Sequence, residues 1–304
     1  MAQGKISARH NGAENEQGET ELVSASHDAA HCDDDSSAAS VEVALADRLH
    51  KHEGFHSEFL DRDRDVTVYL PPGYESDEAR RYPALYLHDG QNLFDGTTAF
   101  IYGQYWHVGE TADALIGERL VEPLIIVGIN NTGERRIDEY TPTTDGRTRL
   151  GGQADLYGRF LVEELKPFID ARYRTLTGAH STGLGGSSLG GLVSLHLGIK
   201  YPDVFGKLAV LSPSIWWDRK VILGNVKKLE SKPELRVWID VGTGEGDYAV
   251  SDAGAMRDAL IERGWTLDAD LKYLEAEGAQ HNELAWAERV GPVLKFLFPH
   301  EASR

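Results

Sequence analysis

Short apolar segments recur along the chain from residue 64 onwards, and they predict the strands of a buried sheet. One segment alternates apolar and polar positions and ends at a Pro-Pro-Gly turn, whereas the others are continuous apolar runs. The segments are 64–70, 83–88, 123–129, 208–211, 235–241 and, more weakly, 269–274. Continuous apolar runs of this length are typical of strands that are covered on both faces in a mostly parallel sheet.

Amphipathic segments lie between these predicted strands. In four of them apolar side chains recur every three or four residues, which predicts helices with one buried face. These positions are Leu156, Phe160, Leu161, Leu165 and Phe168; Leu192, Leu195 and Ile199; Ala255, Ala259 and Leu260; and Trp286, Val290, Val293 and Leu294. The alternation of strands and helices predicts an α/β fold, with a mostly parallel central sheet and helices on both faces. Without a repeat or linker inside it, the segment 47–304 is predicted to be one domain.

The first 46 residues differ from the rest of the chain. They contain nine acidic and two basic residues and give −7 of the net charge of −18, and the first aromatic residue is Phe55. A segment this polar buries too little apolar surface to offset the entropy lost on ordering. We therefore predict a disordered, dispensable acidic tail. Its start lacks the apolar run of a secretory signal, and no 18-residue apolar stretch follows, so we predict a cytoplasmic protein.

Composition narrows the function classes further. With 31 Lys+Arg against 49 Asp+Glu, the chain has no basic face for nucleic acid or for an anionic membrane. Hydrophobic residues make up 41% of the chain, enough for a sizeable core. The one cysteine, Cys32, lies in the predicted tail, which argues against a disulfide, a cysteine nucleophile or a thiolate metal site.

A Gly-x-Ser-x-Gly motif at residues 186–190 is the strongest sign of chemistry. It precedes the helical pattern that begins at Leu192, so Ser188 is predicted to lie on a tight turn between a strand and a helix. Glycines on either side of such a serine prevent steric clashes, and the N–H of Leu189 can face a developing oxyanion. A Gly/Ser cluster can also be an ordinary loop, and without Gly-Lys-Ser/Thr it is not a P-loop.

A serine nucleophile needs a base and an acid, which in an α/β-hydrolase follow in the order Ser, acid, His. Among the histidines downstream of Ser188, His300 lies near the end of the sequence, whereas His281 lies in a polar loop after a predicted strand. We therefore predict His281 as the base. Two carboxylates, Glu245 and Asp247, follow the strand that ends near residue 241, and Glu245 is favoured because it is closer to the strand end. Asp240 and Asp218 are weaker candidates for the acid.

Upstream, the segment Leu-His-Asp-Gly-Gln-Asn-Leu-Phe-Asp at 87–95 follows a buried strand. Its glycine lets the backbone approach a bound acyl oxygen, so the N–H of Gln91 is predicted as a second oxyanion donor. A metal site on His88, Asp89 and Asp95 is the alternative, but no matching set of ligands recurs elsewhere. We therefore expect neither a metal nor a cofactor.

Aromatic residues near these loops are candidates for a substrate pocket, since they offer apolar area and stacking. Trp216 and Trp217 follow the predicted strand at 208–211, while Tyr105 and Trp106 follow the segment at 87–95. Packing in the core is an equally good explanation for all four. Further candidates for contact with substrate are Arg135, Arg136 and Tyr140, which follow the predicted strand at 123–129. Charged loop residues usually face water, however.

Several motifs together resemble the Putative esterase family of α/β-hydrolases, which includes esterase D-like, enterochelin-type, feruloyl and mycolyltransferase enzymes. They are the segments at 68–74, 87–95, 186–191, 201–205, 212–217 and 280–282. The resemblance runs from about residue 55 to residue 298. It implies a serine carboxylesterase for small-molecule esters, with Ser188 as nucleophile, His281 as base and Glu245 at the acid position. An acyltransferase on the same fold is the alternative, and a non-catalytic binding protein is a weaker one.

Overall fold

The computed structural model describes residues 45–300 and contains a mixed sheet of eight strands. The strands are β1 (Leu49–Phe55), β2 (Arg64–Tyr69), β3 (Ala84–His88), β4 (Ile125–Ile129), β5 (Thr182–Ser187), β6 (Lys207–Leu211), β7 (Arg236–Gly242) and β8 (Leu271–Ala276). Their order across the sheet is β1-β2-β4-β3-β5-β6-β7-β8. β2 is antiparallel to both of its neighbours, and the strands from β4 to β8 run parallel. The predicted α/β class with a mostly parallel sheet is therefore confirmed.

Helices connect the parallel strands. They are α1 (Val108–Gly117), α2 (Arg136–Glu139), α3 (Ala154–Arg159), α4 (Lys166–Arg172), α5 (Leu189–Lys200), α6 (Trp217–Lys227), α7 (Asp247–Glu262) and α8 (Glu283–Leu297). A π-helical segment, Phe160–Leu165, joins α3 to α4 without a break, so the apolar pattern at 156–168 forms one continuous rod. In each of the four segments predicted to be helical, a helix is observed.

The sheet separates two hydrophobic layers, because successive side chains of a strand point to opposite faces. On β3, Ala84 and Tyr86 join the layer covered by α3, α4, α5, α6 and α7, whereas Leu85 and Leu87 join the layer under α1 and α8. A strand that must be apolar on both faces reads as a continuous apolar run. This geometry explains why the runs at 83–88 and 123–129 show no alternation.

Strand β5 has no apolar pattern of its own, since its sequence is Thr-Gly-Leu-Gly-Gly-Ser. The neighbouring strand β6 explains the glycines: a Cβ on Gly185 would lie 2.5 Å from the Cβ of Ala209. The strand order places β5, and the turn after it, near the centre of the sheet. Because parallel strands end at the same edge, the turns after β3, β5, β6, β7 and β8 gather along one edge.

Two features at the amino-terminal side go beyond the predictions. Strand β1 pairs with β2 as an edge strand, although most of its side chains are exposed and its sequence is polar. Leu45, assigned to the predicted tail, is buried and contacts the backbone of α1 at Gly109. The rest of the predicted tail, including Cys32, lies outside the described residues. Among residues 45–300, no helix is both long enough and apolar enough to cross a membrane.

Candidate active site

Ser188 occupies a strained turn between β5 and α5, as the Gly-x-Ser-x-Gly motif predicts. Its φ of 58° and ψ of −120° lie in a region that residues with a side chain rarely adopt. The backbone N–H of Ser188 donates to Leu211 O at 3.0 Å, which ties the turn to the end of β6. Gly186 leaves little room for a side chain here, because a Cβ would lie 3.1 Å from the Cβ of His88.

The hydroxyl of Ser188 lies against a second serine. Ser188 Oγ is 3.3 Å from Ser214 Oγ, and the N–H of Ser214 donates to Ser188 O at 3.0 Å. Within residues 45–300, the hydrogen-bond contact of Ser188 Oγ is with Ser214 and not with His281. Ser214 was not predicted as a site residue, although it lies in the Ser-Pro-Ser-Ile-Trp-Trp segment that carries the family resemblance.

His281 and Glu245, predicted from different parts of the chain, meet directly. His281 Nδ1 donates to Glu245 Oε2 over 2.6 Å. The Glu245 side chain is 3% exposed and the His281 side chain is 44% exposed, so a buried carboxylate holds an accessible imidazole. The other candidate acid, Asp247, is exposed at the first position of α7. Glu245 is therefore the carboxylate that contacts His281.

Close backbone contact between two loops sets this pair in place. A Cβ on Gly242 would lie 2.1 Å from Ala279 O, so only glycine lets the loop after β7 approach the loop that carries His281. The N–H of Gly244 donates to the same carbonyl at 3.0 Å, and the N–H of Gly278 donates to Thr243 Oγ1 at 2.7 Å. The Gly-Thr-Gly sequence before Glu245 is thus a requirement of loop docking.

The second carboxylate oxygen of Glu245 is fixed from the other side. Oε1 accepts hydrogen bonds from Ser212 Oγ at 2.6 Å and from the N–H of Gly242 at 2.8 Å. Burial by itself would raise the pKa of Glu245, but the hydrogen bonds from His281, Ser212 and Gly242 outweigh it and hold that pKa below its ordinary value. Glu245 therefore stays ionised beside His281.

A buried ion pair lies behind Glu245. Arg289 Nη1 donates to Asp240 Oδ1 at 2.7 Å, and Asp240 is fully buried. Burial raises the pKa of Asp240 to about 6, although the Arg289 charge opposes this. Arg289 also lies 3.9 Å from Glu245 Oε1, with Ser212 between them. Asp240, a weaker candidate for the acid in the sequence analysis, is thus paired with Arg289, which gave no signal of its own within the helical pattern of α8.

The predicted oxyanion donors lie at the ends of β5 and β3. Leu189 is the first residue of α5, and the first N–H groups of a helix have no partner within it. Gln91 lies in a 3-10 turn, Gly90–Asn92, after β3. The two turns are neighbours, because a Cβ on Gly190 would lie 3.3 Å from the Cβ of His88 and 3.4 Å from Asp89 Oδ2.

Asp89 anchors the turn that carries Gln91. It has a φ of 57°, and it accepts hydrogen bonds from Arg136 Nε at 2.7 Å, Arg136 Nη2 at 2.8 Å and Asn131 Nδ2 at 2.7 Å. The N–H of Asn131 in turn donates to Gln91 Oε1 at 3.2 Å. Burial opposes ionisation of Asp89, but Arg136 and Asn131 outweigh it and hold its pKa below the ordinary value.

The alternative metal site on this segment has other partners. His88 Nδ1 is 2.9 Å from Tyr157 OH, and burial lowers the pKa of His88 to about 3. Asp89 is paired with Arg136, and Asp95 accepts hydrogen bonds from Thr97. Across the described part of the chain, no group of three or more His, Cys, Asp or Glu residues could hold a metal ion.

A cavity of about 330 Å³ lies beside His281. Of the aromatic residues predicted as candidates for a substrate pocket, Trp216 lines this cavity and the others do not. Trp216 is 60% exposed. Trp217 is buried, and its indole N–H donates to Thr143 O at 2.9 Å, so it packs in the core. Trp106 is buried too and packs near Trp286, with ring centroids 6.0 Å apart.

Of two further tyrosines, Tyr105 and Tyr248, only the second lines the cavity. Tyr105 OH donates to Glu110 Oε1 at 2.8 Å, away from the cavity walls. Tyr248 lines the cavity and is 90% exposed, but sequence analysis missed it because it lies in a polar segment with no apolar periodicity. The cavity therefore has Trp216 and Tyr248 as its aromatic walls.

Comparison with known proteins identifies the family of this chain. A family model described as "Putative esterase" matches residues 57–289, well over half of the chain. The chain belongs to this esterase family. Membership makes it an enzyme that acts on carboxylic ester bonds, and the predicted family resemblance is confirmed.

Individual relatives of this esterase cover different shares of it. The uncharacterized protein YbbA of Bacillus subtilis is 28% identical over 259 residues, covering 81% of this chain and 97% of that protein. The iron(III) salmochelin esterase of Escherichia coli is 32% identical over 161 residues, covering 51% of this chain and 33% of that protein. The crystal structure of the BES protein from Bacillus cereus superposes with a TM-score of 0.67 at 24% identity, covering 83% and 95% of the two chains. That likeness confirms the α/β-hydrolase fold.

Proposed function

We propose that this esterase is a serine carboxylesterase that forms an acyl-enzyme on Ser188. His281 is the general base and Glu245 orients it. The observation that carries the proposal is the 2.6 Å hydrogen bond from His281 Nδ1 to the buried carboxylate of Glu245. That bond fixes the imidazole tautomer that leaves Nε2 free to accept a proton.

The strained backbone of Ser188 supports its role as the nucleophile. The turn projects its hydroxyl at the sheet edge, beside the first turn of α5, where unpaired N–H groups favour negative charge. In the resting conformation this hydroxyl lies against Ser214. Catalytic hydrogen bonds often tighten only when substrate binds, and rotation of the Ser188 side chain toward His281 is the step that the mechanism requires.

The reaction then proceeds in two steps, acylation of Ser188 and hydrolysis of the acyl-enzyme. His281 Nε2 takes the Ser188 proton as Oγ attacks the acyl carbon, and the N–H groups of Gln91 and Leu189 stabilise the tetrahedral oxyanion. The intermediate collapses when the bond to the alcohol oxygen breaks and His281 returns the proton to that oxygen. Water, activated by His281, then attacks the acyl-enzyme and releases the carboxylic acid and free Ser188.

The substrate class follows from the relatives and from the cavity. Relatives include proteins named as feruloyl and siderophore esterases, so we place the substrate among carboxylic esters of small molecules. Trp216 contacts the bound ester in this proposal, since its exposed ring lines the cavity beside His281. Trp217, the next residue in sequence, is buried and bonds to Thr143 O, so it packs in the core and does not line the cavity.

A fluorophosphonate probe tests the proposal directly, because it reacts with an activated serine. We expect labelling of the wild-type protein, with mass spectrometry locating the adduct on Ser188. Ser188→Ala should abolish both labelling and the hydrolysis of p-nitrophenyl acetate, while Ser214→Ala should still be labelled. Labelling that persists in Ser188→Ala, or hydrolysis at the wild-type rate in that variant, contradicts the mechanism.

A further inference from the structure

The residues that line the cavity beside His281 indicate which half of an ester, the acid or the alcohol, binds there. It has a volume of about 330 Å³ and lies between the loops that follow β6 and β7 and the first half of α7. His281 and Ser214 form its boundary with the nucleophile, since Ser214 Oγ is 3.3 Å from Ser188 Oγ. A group bound there therefore lies next to both reacting side chains.

We infer that this cavity receives the alcohol half of the ester and that the preferred alcohol is neutral and apolar, with a ring or a branched chain. The inference rests on the proposed acyl-enzyme mechanism. In that mechanism the carbonyl oxygen faces Gln91 and Leu189, at the ends of β3 and β5. The cavity lies at the ends of β6 and β7, on the opposite side of Ser188 in the strand order.

Proton transfer decides which half of the ester lies on the cavity side. When the C–O bond breaks, the leaving oxygen must lie within hydrogen-bonding distance of the protonated imidazole of His281. His281 is itself a wall of the cavity. The group attached to the leaving oxygen therefore extends into the cavity, and the acyl chain leaves the reacting carbon in another direction.

The walls determine the chemistry of this alcohol. Trp216 and Tyr248 offer two exposed rings, and Ala249 and Ala253 leave space beside them. A volume near 300 Å³ is at the lower end of ligand pockets and holds an aromatic ring or a branched alkyl group.

Charge in the walls argues against an anionic alcohol. Two carboxylates, those of Glu245 and Asp252, line the cavity. Asp252 is ion-paired with Lys220, but Glu245 faces the imidazole and keeps its charge. An alcohol that carries a carboxylate would be repelled by Glu245 and would lose its hydration on entry.

Two series of esters test the inference. One keeps the acetyl group and varies the alcohol, as methyl, benzyl and naphthylmethyl acetates. The other keeps methanol and varies the acid, as methyl acetate, phenylacetate and hydrocinnamate. Ala249→Leu fills the cavity from α7, and Ala255→Leu makes the same change on the same helix outside the cavity walls.

We expect Ala249→Leu to lower kcat/KM for benzyl and naphthylmethyl acetates about tenfold, with methyl acetate changed less than about twofold. The acyl series should respond to Ala249→Leu as it does to Ala255→Leu. Trp216→Ala, which removes one aromatic wall, should give the same dependence on the alcohol. The rate of deacylation from a common acetyl-enzyme should be unchanged in all three variants, because the alcohol has already left.

The inference is overturned if the effects of Ala249→Leu and Trp216→Ala follow the acyl group, or follow neither half of the ester. A carboxylate on the benzyl ring should lower kcat/KM, and an unchanged value would contradict the assigned charge preference. Failure of the mechanism itself is separate: it would be seen as absent fluorophosphonate labelling of Ser188 in the wild-type protein.

Discussion

Ser212 Oγ lies 2.6 Å from Glu245 Oε1, the carboxylate oxygen that His281 does not use. The same hydroxyl accepts hydrogen bonds from Trp286 Nε1 at 3.0 Å and from Arg289 Nη2 at 3.3 Å. Indole and guanidinium groups only donate, and a hydroxyl has one proton and two lone pairs. The Ser212 proton must therefore point at Glu245, which makes Ser212 a positioning residue for the acid of the proposed mechanism.

Ser212→Ala should lower kcat about 10-fold to 100-fold, because a hydrogen bond to a charged group contributes on the order of 1.5–3 kcal/mol. KM should change less than kcat, because Ser212 also lines the cavity but its one proton is directed at Glu245. Steady-state kinetics with p-nitrophenyl acetate measure both values.

The matched control for Ser212 is another buried serine bonded to a glutamate. Ser57 Oγ donates to Glu164 Oε2, also at 2.6 Å, on a part of the chain outside the site. Ser57→Ala should lose stability to urea but keep its kcat. Equal losses of kcat in the two variants would show that Ser212 supports the fold and not Glu245.

Glu245→Gln should lower kcat by roughly 10³-fold to 10⁴-fold, because the amide can no longer stabilise the imidazolium and can stabilise the wrong tautomer. Asp247→Asn, two residues further on at the first position of α7, is the control, and we expect it to stay within about twofold of the wild type. A larger loss in Asp247→Asn would assign the acid to Asp247. Stopped-flow measurement of acylation separates this effect from any change in product release.

Gln91→Pro should lower kcat about 10²-fold to 10³-fold, the usual cost of removing one oxyanion donor. Gln91 lies in a 3-10 turn, whose φ proline can adopt, and the substitution removes the N–H. Gln91→Ala removes the side chain and its bond from Asn131 but keeps the N–H. We expect Gln91→Ala to keep kcat within about threefold, and a loss as large as that of Gln91→Pro would show that the side chain carries the effect.

Stability should fall on acidification partly because of His88. Burial lowers the pKa of His88 to about 3, whereas the unfolded chain binds this proton near pH 6.5. Below pH 6.5 the unfolded state therefore binds more protons, and the free energy of unfolding decreases by about 1.4 kcal/mol per pH unit down to about pH 3.

The His88→Asn variant isolates this contribution, since it keeps a polar group near Tyr157 OH but does not titrate. Between pH 7.5 and pH 5, the wild type should lose about 2 kcal/mol more than His88→Asn, measured by urea unfolding. If the free energy of unfolding changes with pH in the same way in both proteins, the folded state does not disfavour protonation of His88, and the prediction is wrong.

Sequence patterns predict the elements that stand out as continuous apolar runs, such as β3 and β4, or that show a helical period, such as α8. They miss β1 because an edge strand with exposed faces can be polar, and they do not identify β5 because its glycines are dictated by neighbouring strands. Helix α6 also lacks a clear period. These failures have one cause: contacts with other elements, and not local composition, determine those segments.

For the candidate site, the sequence by itself determined the glycine turn at Ser188 and the loops that carry Glu245 and His281, because these depend on local spacing. Tertiary structure decided what spacing cannot. It brought Glu245 and not Asp247 to His281, through the close approach of Gly242 to Ala279. It also placed Ser212 and Arg289 behind Glu245, and it buried Trp217 while exposing Trp216. Hydrogen bonds and burial link residues far apart in the chain, so their partners are fixed only once the sheet has assembled.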